Sequence, residues 1–135
     1  MNKYLIQVVI DVCDFQGDPS SITAFLGIEP TSTSVKGQIV QGGKHPRRRN
    51  MWLIYSTPSE AVNGWEHELT VHWENLLEKI SGKEKLFAKL SIDAKIKMTI
   101  ILQSRERYPP VILNKQILAF AHAANFEYID VDVYQ

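Results

Sequence analysis

Cysteine is nearly missing from this sequence: Cys13 is the only one in 135 residues. An intrachain disulfide and a cysteine-rich zinc site are therefore excluded. Net charge is missing too, with 15 basic residues against 15 acidic ones. That removes the broad field which draws a protein to nucleic acid or to an acidic membrane, although it leaves room for a local patch. No stretch approaches the roughly 20 apolar residues needed to cross a bilayer. Met1 to Val12 lacks the pattern of a signal peptide, because its apolar run is short, is broken by Gln7 and Asp11, and leads to no small-residue cleavage site. The expectation is a cytoplasmic protein without a membrane partner. Neither a glycine fingerprint for a dinucleotide nor a Gly-x-Ser-x-Gly elbow is present, and no cofactor is expected.

What is there has the composition of one soluble globular domain spanning 1–135, with 44% apolar and 22% charged residues. A chain this long buries about two thirds of its unfolded surface and needs no disulfide or metal to fold.

Tyr4 to Cys13 reads as a strand with two partly apolar faces, hence a central one. Asp18 and Pro19 start a helix, Ile22, Phe25 and Leu26 form its buried stripe, and Gly27 stops it. Thr33 to Val40 and Met51 to Ser56 read as a hairpin joined by the polar loop Gln41 to Asn50. The longest helix runs from Glu66 to Ile80, with Leu69, Trp73, Leu76, Leu77 and Ile80 on one side. Glu84 to Leu90 is a short helix and Ala94 to Gln103 a strand in which Ile96, Met98, Ile100 and Leu102 alternate. Asn114 caps a last helix whose apolar side is Ile117, Leu118, Phe120, Ala121 and Ala124, and Asn125 ends it. Phe126 to Tyr134 closes the chain as a strand, with Ile129, Val131 and Val133 opposite Tyr128, Asp130, Asp132 and Tyr134. The expected fold is α+β. It is a mostly antiparallel sheet with helices on one face, a ferredoxin-like β-α-β-β-α-β core extended by a C-terminal helix and strand.

Lys44, Arg47, Arg48 and Arg49 form the one basic run, and Arg105 and Arg107 join it if their loops share an end of the sheet. No aromatic platform is interleaved with these arginines. The patch therefore suits an acidic protein surface better than nucleic acid. Asp11, Asp14 and Asp18 gather near the end of the first strand, and turn and cap roles account for them simply. Asp11 and Asp14, with Tyr128, Asp130 and Asp132 of the last strand, are the candidates for an alternative small-molecule pocket. Gly42-Gly43-Lys44 lacks the spacing and the following helix of a phosphate loop. His67 and His72 lie five apart on a helix, about 140° round from each other, which does not fit the zinc-protease spacing. His72 pairs more simply with Glu68 at the surface. No metal site and no catalytic residue is assigned.

The stretch Ile22-Thr23-Ala24-Phe25-Leu26-Gly27-Ile28-Glu29-Pro30-Thr31 resembles the Leu-Gly-Ile-x-Pro-Thr signature of a family of small bacterial proteins, domain of unknown function 4279. Lys36-Gly37, the Trp52-x-x-x-Ser56 strand, Leu76-Leu77 and the closing Ile129-Asp130-Val131-Asp132-Val133-Tyr134 resemble further parts of it, in order. The resemblance implies a bacterial, cytoplasmic α+β domain without an established activity. A non-enzymatic, protein-binding and immunity-like role is the expectation, with a small-molecule binder or an enzyme with an unfamiliar pocket as the alternative. The basic loop is not part of the resemblance.

Overall fold

The computed structural model describes residues 5–39, 41–56, 59–60, 65–103, 111 and 113–134, with the backbone alone at 59–60 and 65–68. Arg105, Arg107, Pro58 and Gly64 lie outside the described residues, as do the side chains of Trp65, His67 and Glu68.

The element order is β1 (Leu5–Cys13), α1 (Pro19–Leu26), β2 (Ser32–Ser34), β3 (Met51–Tyr55), β4 (Ser59–Glu60), α2 (Trp65–Ile80), α3 (Glu84–Leu90), β5 (Lys95–Gln103), α4 (Lys115–Ala123) and β6 (Tyr128–Tyr134). Five strands lie in the order β2-β3-β1-β5-β6. β1 is central and pairs antiparallel with β3 and β5, while β4 continues the line of β3 along the start of β1. β2 is antiparallel to β3, but β5 and β6 run parallel, so the sheet is mixed. The parallel pair follows from the β5-α4-β6 order, because a helix crossing one face returns the chain in the same direction.

Alternation along the strands builds one core. Ile6, Val8, Ile10 and Val12 of β1 join Ile96, Met98, Ile100 and Leu102 of β5 and Trp52 and Ile54 of β3. Each helix contributes to that core: Ile22 and Leu26 from α1, Leu69, Trp73, Leu76 and Ile80 from α2, Phe87 from α3, Ile117 and Phe120 from α4. Trp73, Phe87, Phe120 and Phe126 meet edge to face, with centroids 5.5 to 6.2 Å apart. Such contacts align the positive ring edge with the negative face of the neighbour.

The caps form as the sequence requires. Asp18 accepts from Ser20 N at 2.8 Å, and Gly27 takes φ 68° so that its N–H reaches Thr23 O at 2.8 Å. Asn114 Oδ1 accepts from Ile117 N at 2.9 Å, and Asn125 sits at φ 58° beyond the last turn.

Three expectations are corrected, at Phe25 and Leu118, in the second strand and at His72. Phe25 and Leu118 sit on exposed rims of their helices and not in the core. The strand expected from Thr33 to Val40 shrinks to Ser32–Ser34, since the chain turns at Lys36-Gly37, with Gly37 at φ 87°, and only an isolated bridge joins Ile39 to Pro46. Val131 and Val133 lie in register with the core positions Ile100 and Leu102 and are 40% and 42% exposed, since among the described residues no strand pairs beyond β6. His72 is 4% exposed, so it lies in the core and not at the surface, while the Glu68 side chain of the expected pair lies outside the described residues.

Candidate functional site

The basic run occupies the long connection between β2 and β3, and backbone hydrogen bonds shape it. Gly37 N donates to Arg47 O and Arg47 N to Gln38 O, both at 2.8 Å. The base is held by Asn50, whose Nδ2 donates to Phe15 O at 2.8 Å while its Oδ1 accepts from Lys36 N at 2.8 Å. Arg49 turns back onto the end of β1. Its Nε donates to Asp14 Oδ1 at 2.8 Å and its Nη2 to Asp14 Oδ2 at 2.5 Å, and Nη2 also lies 3.2 Å from Cys13 Sγ. This fork holds the Asp14 carboxyl below the usual carboxylate range and raises Arg49 further. Burial pushes the Cys13 thiol up to about 11, so it stays protonated and is a poor nucleophile at neutral pH.

The fork divides the sequence-predicted patch. Arg49 is committed to Asp14, which in turn is not free to serve the alternative pocket. Lys44, Arg47 and Arg48 remain exposed and, among the described residues, have no ion-pair partner.

The other alternative candidates, Asp11, Tyr128, Asp130 and Asp132, lie on the sheet face opposite the helix-covered core. Asp11 is buried, 3.9 Å from Lys97 Nζ through Oδ2, and among the described residues its Oδ1 has no hydrogen-bond partner. Burial raises its carboxyl above the usual range, against the opposing pull of Lys97. Lys97 stands opposite both Asp11 and Tyr128, with Nζ 5.7 Å from the Tyr128 ring centroid. Asp130 and Asp132 follow along β6 beside Thr99 and Ile101. Burial, the charge of Asp130 and a hydrogen bond that protonated Asp132 donates to Asp130 raise the Asp132 carboxyl. Lys97 thus stands between Asp11 and the β6 carboxylates. Among the described residues no group of three His, Cys, Asp or Glu side chains could hold a metal ion.

The model for the domain of unknown function DUF4279 matches residues 3–135. The chain belongs to this family. No curated protein and no solved structure matches it. Among the described residues of this DUF4279 chain, no helix is long and apolar enough to cross a membrane.

One polar cluster in the domain was missed from the sequence. Ser56, just after β3, has its Oγ 2.5 Å from His72 Nδ1 on α2, and the same oxygen accepts from Val8 N at 2.9 Å. Ser56 N donates to Val8 O at 3.0 Å and Gln7 Nε2 to Ser56 O at 2.8 Å. The signal was in the spacing. Ser56 shares the parity of the buried Trp52 and Ile54, and His72 falls three residues after Leu69 and four before Leu76. A serine near a histidine suggests nucleophilic chemistry, but this hydroxyl is buried and accepts a strand N–H, so it serves to join α2 to the sheet. An open groove of about 930 Å³ lies between α1 and the end of α3, lined by Phe15, Phe25, Leu90 and Ile92 among others.

Proposed function

We propose that this chain is a non-enzymatic protein-binding domain, immunity-like in role and acting in a bacterial cytoplasm, that presents the tip of its β2–β3 connection to an acidic surface of a partner protein. The reading rests on one observation. Lys44, Arg47 and Arg48 are exposed on a loop whose base is fastened by the Arg49–Asp14 fork and the Asn50 side chain. A fastened loop loses less conformational entropy on binding, and a cluster of like charge steers an oppositely charged partner. We read the antiparallel order β2-β3-β1-β5 as a ferredoxin-like core to which α4 and β6 are added.

The test compares the protein with its K44A/R47A/R48A variant. The partner retained by the wild type from lysate of the source cell is purified and titrated against both. The expected result is an affinity at least about tenfold weaker for the variant. Wild-type binding is also expected to weaken as salt rises. Unchanged affinity removes the loop from the account.

A second reading has an observation of its own. The unpartnered, buried Asp11 Oδ1 suits a small molecule carrying a hydrogen-bond donor. Mass spectrometry of the native protein and of Asp11→Asn checks it. A small molecule carried by the first and lost from the second supports this reading, and none on either contradicts it.

A further inference from the structure

β6 ends the sheet in an unusual condition. It is seven residues long, contains no proline, glycine or lysine, and among the described residues no strand pairs with its outer edge. Tyr128, Val131, Val133 and Tyr134 are 49%, 40%, 42% and 52% exposed, so both of its faces are open. Natural edge strands are commonly protected by lysine, proline or a bulge. The only charged side chains in β6 are Asp130 and Asp132, both on the face that carries Tyr128.

The backbone direction follows from the neighbouring strand. The Ile96 carbonyl accepts from Glu127 N at 2.7 Å, so the even-numbered groups of β5 face β6. With Tyr128 opposite Lys97, alternation turns the N–H and C=O groups of Ile129, Val131 and Val133 outward. Their apolar side chains point to the helix side of the sheet, and the two carboxylates point to the other.

We propose that the outer edge of β6 accepts an extended strand from a partner protein, one that alternates apolar and basic residues. The apolar residues of that strand lie beside Val131 and Val133, and its lysine or arginine side chains lie beside Asp130 and Asp132. Main-chain hydrogen bonds to Ile129, Val131 and Val133 hold it, as in other strand additions. Charge complementarity selects this occupant over a second copy of the chain. A two-fold antiparallel pairing centred on Val131 sets Asp130 against Asp132 twice. Centring it on Asp130 or Asp132 sets that residue against its own copy, and centring it on Ile129 or Val133 avoids the clash only by pairing three of the seven strand residues. Like charges directly opposite destabilise a strand pair. This edge lies across the sheet from β2, so the inference does not depend on the basic tip.

The probe is a blocked Val-Lys-Val-Lys-Val peptide, and the readout is amide hydrogen exchange of the full chain by NMR. With peptide at ten times its Kd, exchange at Ile129, Val131 and Val133 is expected to slow about tenfold. Asp130→Asn together with Asp132→Asn keeps the edge but removes its charge, and is expected to weaken binding about tenfold. Val131→Pro removes an outward N–H without touching the bonds to β5, and is expected to abolish the protection. No slowing at any peptide concentration overturns the proposal. So does equal binding of a Val-Glu-Val-Glu-Val peptide, or concentration-dependent protection of the same amides by the chain alone at neutral pH.

Discussion

Replacing Ser56 with alanine would take from the core the hydroxyl that Val8 N–H and His72 Nδ1 share. A polar group left buried without compensation costs its full desolvation. Ser56→Ala is therefore expected to lower the unfolding free energy by about 2–3 kcal/mol in urea denaturation. A loss below about 0.5 kcal/mol would mean that the buried cluster is incidental to stability. Two aspartates of the β1 end should respond to pH in opposite directions. The Asp14 carboxyl is depressed by Arg49, so its contribution is present above the unfolded carboxylate value and is lost as pH falls through its folded value. Because both partners are well exposed, that contribution is about 0.5–1 kcal/mol. The difference in stability between wild type and Arg49→Ala should accordingly shrink on acidification below about pH 4. The Asp11 carboxyl is raised by burial, so its effect has the other sign. It favours the folded state at low pH, and that favour fades as pH rises from 3.8 through the folded value. Asp11→Asn should then lose least, or gain, relative to wild type at neutral pH. A variant that instead loses more stability as pH rises would contradict the assignment.

Among the elements, the helix ends were the most legible part of the sequence. Capping is local chemistry, and Asp18, Pro19, Gly27, Asn114 and Asn125 each occupy the cap position expected of them. Gly27→Ala tests this at the element scale. At φ 68° an alanine is strained, and its Cβ would meet only the flexible Lys83 Nζ at 3.3 Å. The expected loss is about 1 kcal/mol in thermal or denaturant unfolding, without a change of fold. What the helical period does not report is which rim of an apolar stripe is covered. That depends on the neighbours, and so the apolar stripes include Phe25 and Leu118 although both lie exposed. The same limit hid His72: spacing put it beside Leu69 and Leu76, while residue type suggested the surface. The shortness of β2 was also hidden, because the turn at Gly37 and the Ile39–Pro46 bridge interrupt a stretch whose composition suits a strand.

For the whole molecule, alternation identified β1 as central and assigned the core face of β5 correctly. The parallel β5–β6 pair makes the sheet mixed, and strand order is fixed by contacts distant in sequence that no single stretch contains. The site was legible only in part for the same reason. Composition located the basic run and the carboxylates near the end of β1, but treated them as rivals. Folding brings Arg49 to Asp14 across 35 positions, which makes one member of each set the fastening of the loop. Lys44, beyond the Ile39–Pro46 bridge, and Arg47 and Arg48 on the returning arm are then left exposed. The most direct measurement of the protein-binding account is a hydrogen-exchange footprint of the chain in complex with the acidic partner protein that the account proposes. The account predicts slowed exchange in the loop between Gln38 and Arg49, lost together with binding in K44A/R47A/R48A. A footprint that leaves this loop unchanged while other segments become protected would contradict it.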